Sequence, residues 1–236
     1  MTRPDGRATG ELRPVTYELG FQEWADGSVL FSMGKTRVLC AATLAEETPR
    51  WLRGTGRGWV TGEYSMLPAS TTERSSREVN KGRPGGRTQE IQRLIGRALR
   101  SVTDLDRLGE RMVTVDCDVL QADAGTRTAS ITGGYIALAV ALRKLGDQGA
   151  SLLKDSVAAV SVGIVDDEAR LDLCYEEDAG AEVDFNVVMT GAGALVEVQG
   201  TAEGAPFSRE QLDGLLDLAA AGIAELSKVQ AEALGT

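Results

Sequence analysis

Gly85-Gly86-Arg87-Thr88 and Gln121-Ala122-Asp123-Ala124-Gly125-Thr126-Arg127-Thr128 bound the stretch on which the reading of this chain turns. The first opens an amphipathic run in which Ile91, Leu94, Ile95, Ala98, Leu99 and Val102 recur at i, i+3, i+4, i+7, i+8 and i+11. That is the apolar stripe of a helix with one buried face. The second leaves a strand, because Arg111 to Leu120 alternates with period two, and enters a helix through Ile131, Gly134, Tyr135, Leu138, Ala139, Leu142 and Leu145. Each end puts an arginine and free backbone N–H groups at a helix N-terminus, where aligned peptide dipoles favour an anion. One phosphate held between the two ends is the expectation.

Outward from this stretch the pattern is α+β, with sheets covered by helices. Upstream, Val29 to Met33 and Thr36 to Ala42 read as a hairpin turning at Gly34-Lys35, and Trp59 to Leu67 as a further strand. Gly34-Lys35-Thr36 is no phosphate loop, since the glycine required five positions earlier is Val29. Gly54, Gly56 and Gly58 likewise lack the strand-turn-helix setting of a dinucleotide fingerprint. Downstream, Val157 to Val165, Ala169 to Tyr175, Ala181 to Thr190 and Ala194 to Thr201 read as strands. Asp166-Asp167-Glu168 is a turn, and Glu176 to Gly180 an acidic one. Ser208 and Gln211 have capping-box spacing before a helix faced by Leu212, Leu215, Leu216, Ala219, Ile223 and Leu226. The length can bury a sizeable core and fits one domain or two small ones, and residues 1–236 are taken as a single domain.

The net charge of −10 argues against a nucleic-acid partner until its distribution is considered. Residues 50–111 carry 13 Lys and Arg against 7 Asp and Glu, leaving 12 against 28 elsewhere. A basic middle in an acidic chain suggests a local anionic partner; a solvated surface without one is the simpler alternative. Arg74, Arg77, Lys81 and Arg83 lie among Ser, Thr, Gly and Pro, a composition that reads as a mobile basic loop. Arg93, Arg97 and Arg100 form a cationic ridge along the first helix, a pattern that solvated helix faces also show. No apolar run approaches the roughly 20 residues that span a bilayer. Met1 to Arg7 has no apolar core of the kind a secretory signal needs. Cys40, Cys117 and Cys174 sit in apolar runs without zinc spacing, as buried free thiols of a reducing cytoplasm would.

With no histidine in the chain, Ser-His-Asp and Cys-His catalysis and His-ligated zinc are excluded. Arginine and backbone amides remain for phosphate, and carboxylates for Mg²⁺ or proton transfer, an inventory suited to phosphoryl transfer. Arg87 with Gly125, Thr126 and Arg127 can hold an oxyanion, although a plain strand-to-helix turn has the same signature. Asp178 in the acidic turn and Asp184 on the next strand are the favoured carboxylates, against the reading of both as surface acids. Asp184 lies between apolar Val183 and Phe185 and so points to the opposite face. Asp116, Asp118 and Asp123 form either a metal cluster or structural partners for arginines.

Longer matches give these residues a context. Glu11-Leu12-Arg13-Pro14, Gly58-Trp59-Val60-Thr61, Glu63 to Pro68, Glu90 to Arg97, Asp116 to Asp123, Gly125-Thr126-Arg127, Asn186 to Thr190 and Glu197 to Gly204 are spread along a match that takes in nearly the whole chain. In this set the chain closely resembles the bacterial ribonuclease PH family of phosphorolytic 3′-exoribonucleases. The resemblance implies a ribosomal-protein-S5-like α+β fold and a homohexameric ring built as a trimer of dimers. It implies trimming of tRNA precursors with inorganic phosphate as co-substrate, release of nucleoside diphosphates, and nucleotide addition in reverse. It further implies a phosphate site at Arg87, Gly125, Thr126 and Arg127, and Mg²⁺-linked catalytic acids at Asp178 and Asp184. Arg74, Arg77, Arg93 and Arg97 would then guide RNA. Ala124 departs from the family's usual glycine, and at positive φ it would cost of order 1 kcal/mol. A non-enzymatic RNA-binding ring subunit is the alternative, distinguished by loss of the phosphate site or the acids.

Overall fold

The computed structural model describes residues 3–236; Met1 and Thr2, and with them the start of the N-terminal reading, lie outside the described residues. Two sheets carry the chain. The first has the order β1-β2-β3-β5-β4, from β1 (Val15–Leu19), β2 (Gly27–Met33), β3 (Thr36–Ala45), β4 (Trp59–Met66) and β5 (Met112–Gln121). Its pairings are antiparallel except β4 with β5, which run parallel because a helix crosses between them. The second sheet is antiparallel with the order β7-β6-β8-β9, from β6 (Val157–Val165), β7 (Glu168–Leu171), β8 (Val183–Thr190) and β9 (Leu195–Ala202).

Six α-helical segments complete the fold: α1 (Gly86–Ser101), α2 (Leu105–Leu108), α3 (Thr126–Leu142), α4 (Asp147–Ala150), α5 (Tyr175–Gly180) and α6 (Arg209–Leu234). The apolar stripe read on α1 is the buried one, with Ile91, Leu94, Ile95, Ala98 and Leu99 all inside. α3 packs against β2 and β3 of the first sheet and β6 of the second, and all but Arg127 and Val140 of its residues are buried. A helix apolar on every side belongs in an interior. Close approach is secured by Gly133, where an added Cβ would lie 2.8 Å from Phe31 Cβ and 3.0 Å from Cys40 Sγ. One hydrophobic cluster consequently runs from Val29 and Phe31 through Ile131 and Ile136 to Val160, Val187 and Leu226.

Local signals were obeyed in most places. Ser208 Oγ accepts from the Gln211 N–H at 3.1 Å and Gln211 Oε1 from the Ser208 N–H at 2.7 Å, closing the expected capping box. The three cysteines are free and buried. The expectation of a strand from Ala169 to Tyr175 followed by an acidic turn is corrected. β7 stops at Leu171 because the buried Asp172 adopts φ +53°, and the acidic run forms α5. Acids in its first turn suit the helix dipole, and Glu177 Oε2 accepts from the Cys174 N–H at 3.1 Å. Asp116 and Asp118 share the half-buried outer face of β5 and form no ion pair among the described residues, whereas Asp123 pairs with Arg13 at 3.8 Å, so the arginine pairing holds for Asp123 alone. Among the same residues no group of three or more His, Cys, Asp and Glu could hold a metal ion. No described helix is long and apolar enough to cross a membrane.

Glycines in two helices should respond with opposite signs. Gly133→Val is expected to lower stability by about 1–3 kcal/mol through overpacking against Phe31. Gly214→Ala, on the exposed face of α6 with nothing within 4 Å of the new Cβ, should raise it by about 0.8 kcal/mol. Urea unfolding of both variants checks this, and a neutral Gly133→Val would contradict the packing described.

Candidate active site

A cavity of about 310 Å³ opens where the two sheets meet, lined by Arg87, Gly125, Thr126, Arg127, Asp178 and Asp184. Six residues from four separate segments of the sequence thus face one space. Met66, Thr71, Ala122, Ala124, Ser161, Tyr175 and Asn186 complete the wall.

The cationic side is built from the openings of α1 and α3. Arg87 stands in the first turn of α1, and Gly125 is the N-cap of α3. The chain enters α3 through two consecutive left-handed residues, Ala124 at φ +56° and Gly125 at φ +63°. Alanine there costs of order 1 kcal/mol relative to a residue free of Cβ strain, so the departure read from the sequence is a strained position. Gly125 is also needed for space, since a Cβ would meet Arg13 Nη2 at 2.9 Å. The loop is held from outside by Thr36, whose hydroxyl donates to the Ala124 carbonyl at 2.7 Å and accepts from the Asp123 N–H at 2.9 Å.

Tyr64 of β4 joins the two openings. Its hydroxyl lies 2.8 Å from Thr126 Oγ1 and accepts from Arg87 Nη1 at 3.4 Å. Arg87 has no carboxylate partner among the described residues, whereas Arg127 pairs with Glu90 at 3.2 Å on the rim. Glu78 ties the basic loop to the start of α1, accepting from the Gly85 N–H at 3.2 Å and the Thr88 hydroxyl at 3.0 Å.

The acidic side comes from the second sheet. Asp184 faces Gly163 and Thr201 across its neighbours, and Asn186 faces Ser161 and Gln199, which puts Asp184, Asn186 and Ser161 on one face. Val183, Phe185 and Val187 point the other way into the core. Asp178 projects from α5. Burial raises its pKa, opposed by the charges of Arg127, Arg87 and Arg13. Burial and then the negative charge of Asp178 push Asp184 up to about 6, with Arg127 pulling the other way. Asp184 Oδ1 is buried without a hydrogen-bond partner among the described residues.

That orphaned oxygen beside a second carboxylate fits Mg²⁺, a hard cation that uses one or two carboxylates and fills its remaining positions with water and substrate phosphate. An unpaired carboxylate oxygen inside a protein otherwise carries a desolvation penalty with nothing to offset it.

Behind the cavity, a buried ion-pair network fixes α5. Arg13 reaches both oxygens of Asp172, at 3.0 Å from Nε and 2.6 Å from Nη2, and donates to the Asp123 carbonyl. Arg3 clasps Glu177 with two hydrogen bonds of 2.8 Å. Asp123 Oδ1 accepts the Tyr175 N–H at 3.1 Å, linking the loop before α3 to the helix that carries Asp178. Asp123 is therefore a joint between the two sides rather than a metal ligand. The N-terminal segment, through Arg3 and Arg13, braces the site.

Of the arginines assigned to RNA, none lines this cavity. Arg74 and Arg77 are exposed on the loop, and the side chain of Lys81 lies outside the described residues. Arg93 and Arg97 line a separate groove of about 540 Å³ with Trp59, Gln92 and Arg100. Arg97 pairs with Glu197, and Arg100 lies 4.2 Å over the Trp59 ring. Sequence reasoning missed Tyr64, Asn186, Glu90 and Gln199. Glu63-Tyr64-Ser65-Met66 and Glu197-Val198-Gln199-Gly200 belong to the matching stretches, and their polar residues are the available signal.

Fold and sequence agree on the class: the chain belongs to the 3′ exoribonuclease family, whose domain 1 matches residues 11–144 and domain 2 residues 155–222. Its relatives include the protein named Ribonuclease PH in Moorella thermoacetica, 60% identical over 100% of this chain and 95% of the relative. Those of Saccharopolyspora erythraea (58%, over 99% and 95%) and Crocosphaera subtropica (59%, over 98% and 97%) bear the same name. Among solved structures, rice (Oryza sativa) Rrp46 superposes with a TM-score of 0.79 at 19% identity, covering 97% of this chain and 98% of that one. A chain of the Archaeoglobus fulgidus exosome with RNA bound to its active site gives 0.80 at 22%, covering 96% and 92%. These two establish the shared α+β fold, as the resemblance implied.

The Asp184 environment has a measurable consequence in metal-free protein. A carboxyl whose pKa is higher folded than unfolded holds its proton more tightly in the native state. Stability then falls as pH rises from about 4 to about 6 and stays low above. Asp184→Asn removes this loss, so in EDTA the variant should gain on the parent across that window. By pH 8 it should lead by on the order of 1 kcal/mol or more. Urea midpoints at pH 4, 6 and 8 check the sign; a gap that does not widen with pH would contradict it.

Proposed function

We propose that this chain removes nucleotides from RNA 3′ ends by phosphorolysis, trimming tRNA precursors and adding nucleotides from diphosphates in reverse. The observation that carries the reading is the convergence of Arg87, Gly125, Thr126 and Arg127 with Asp178 and Asp184 on one cavity. An RNA-binding subunit without catalysis has no need of an oxyanion pocket facing two carboxylates.

Inorganic phosphate would sit against Arg87, Arg127, the Thr126 hydroxyl and the backbone at Gly125. There its negative oxygens are neutralised enough to approach the equally negative phosphodiester. A phosphate oxygen attacks the phosphorus of the 3′-terminal nucleotide, and the bond to the preceding 3′ oxygen breaks. A nucleoside diphosphate leaves, and the departing 3′ oxygen takes up a proton. Positioning and charge neutralisation dominate such a transfer, so the arginines carry much of the rate. Asp178 and Asp184 would hold Mg²⁺, which when bound supplies counter-charge to the phosphate oxygens.

Arg74 and Arg77 on the loop and Arg93 and Arg97 on α1 would steer the RNA backbone, without sequence preference and with strong salt dependence. The continuous core supports one working unit over residues 1–236. We further propose a homohexamer arranged as a trimer of dimers, and a cytoplasmic site of action in keeping with three free buried cysteines.

Incubation with end-labelled RNA, Mg²⁺ and phosphate should release nucleoside diphosphates, and omission of phosphate should abolish release. Monophosphate products would instead mean hydrolysis. Arg87→Ala or Arg127→Ala should raise the phosphate KM roughly tenfold or more, the loss of one charge-assisted hydrogen bond. Asp184→Ala should lower kcat at least about a hundredfold; an unchanged phosphate KM in both arginine variants would overturn the assignment.

A further inference from the structure

Arg127 presents five N–H donors in one plane. The protein occupies those of a single terminal nitrogen: Nη1 donates to Gln199 Oε1 at 2.9 Å and to Glu90 Oε1 at 3.3 Å. Nε and Nη2 have no acceptor among the described residues. That Nε–Nη2 edge carries the two parallel donors able to match two oxygens of a phosphate. The partners of Nη1 are themselves fixed. Gln199 Nε2 donates to Glu90 Oε1 at 2.9 Å and to Glu197 Oε1 at 3.1 Å, and Glu197 pairs with Arg97. Arg127, Glu90 and Gln199 therefore close a ring of hydrogen bonds between α3, α1 and β9.

Placed on the rim, the Glu90 pair is too exposed to add much stability as an ion pair. Its geometry is more informative than its energy. An arginine opening a helix has several rotatable bonds, and an anion that had to order them on arrival would bind more weakly. Holding one terminal nitrogen by two acceptors from different elements removes that freedom and leaves the paired edge of the guanidinium unoccupied.

We propose that Glu90 and Gln199 are positioning residues that orient Arg127 so that its Nε–Nη2 edge faces the phosphate. This rests on the reading of Arg127 as a phosphate ligand. Neither residue touches the reacting atoms, and both act through the guanidinium. Glu90 must supply an acceptor but not necessarily a charge, since its carboxylate also repels the incoming phosphate.

The test compares phosphorolysis by the parent with Gln199→Ala, Glu90→Ala, Glu90→Gln, Arg127→Ala and the Gln199→Ala/Arg127→Ala pair, with phosphate and RNA varied separately. Gln199→Ala and Glu90→Ala should each raise the phosphate KM roughly tenfold, as ordering of the side chain is transferred to the ligand. The effect on kcat at saturating phosphate should stay within about threefold, and the RNA KM should not follow, because neither residue meets the reacting atoms. Glu90→Gln, which keeps an acceptor, should recover most of the loss. In the Arg127→Ala background, Gln199→Ala should add almost nothing. If Arg127→Ala raises the phosphate KM while Gln199→Ala and Glu90→Ala leave it unchanged, or if the double variant shows the full sum, the positioning role is overturned. The reading of Arg127 itself then survives. An unchanged phosphate KM in Arg127→Ala overturns both.

Discussion

Two guanidinium groups facing one small cavity repel each other, and the structure is arranged around keeping them there. Arg87 and Arg127 open α1 and α3, so their positive charge adds to that of two helix N-termini. Ordinary surface arginines would splay into water. Here Tyr64 ties Arg87 to Thr126, Glu90 and Gln199 hold Arg127, and Asp178 and Asp184 face them from the second sheet. Charge of one sign is thus balanced by charge of the other without direct ion pairs across the cavity among the described residues, leaving both sets open to ligands.

That balance demands rigid walls, because a carboxylate able to swing would quench an arginine. α3 is anchored on both sheets, and Gly133 lets it lie against Phe31 and Cys40. α5, only six residues long, cannot hold Asp178 by its own helical hydrogen bonds. It is held instead by Arg3 and Arg170 on Glu177, by Asp123 at its first N–H, and by Arg13 on the adjoining Asp172. Buried pairs of this kind add little net stability against apolar packing, but removing one partner leaves a charge stranded. The backbone strain at Ala124 and Asp172 lies in the same shell, at the margins of a site whose geometry the surroundings over-determine.

Much of this is legible in the amino-acid sequence. The α1 stripe, the capping box at Ser208, the Gly34-Lys35 hairpin and the outward turn of Asp184 are local signals, each set by period or turn chemistry. The family set Arg87, Gly125-Thr126-Arg127, Asp178 and Asp184 side by side as a group, and one cavity holds all six. The brace of Arg3 and Arg13 against Glu177 and Asp172 was not legible, because its partners are separated by more than 150 residues and no periodicity links them. The sequence reads as a turn where α5 forms, for a related reason. A single helical turn rich in acid has no apolar repeat, and its cap is a glutamate reaching back to a cysteine N–H. Nothing in the strand pattern of Trp59 to Leu67 marks Tyr64, whose hydroxyl stands between Arg87 and Thr126.

The claim beneath all of this is that both arginines grip one anion. A crystal structure of the protein grown with phosphate tests it most directly. The account predicts a single phosphate within hydrogen-bond distance of Arg87 and the Nε–Nη2 edge of Arg127, against Thr126. A phosphate bound to one arginine alone, or two anions held separately, would contradict it.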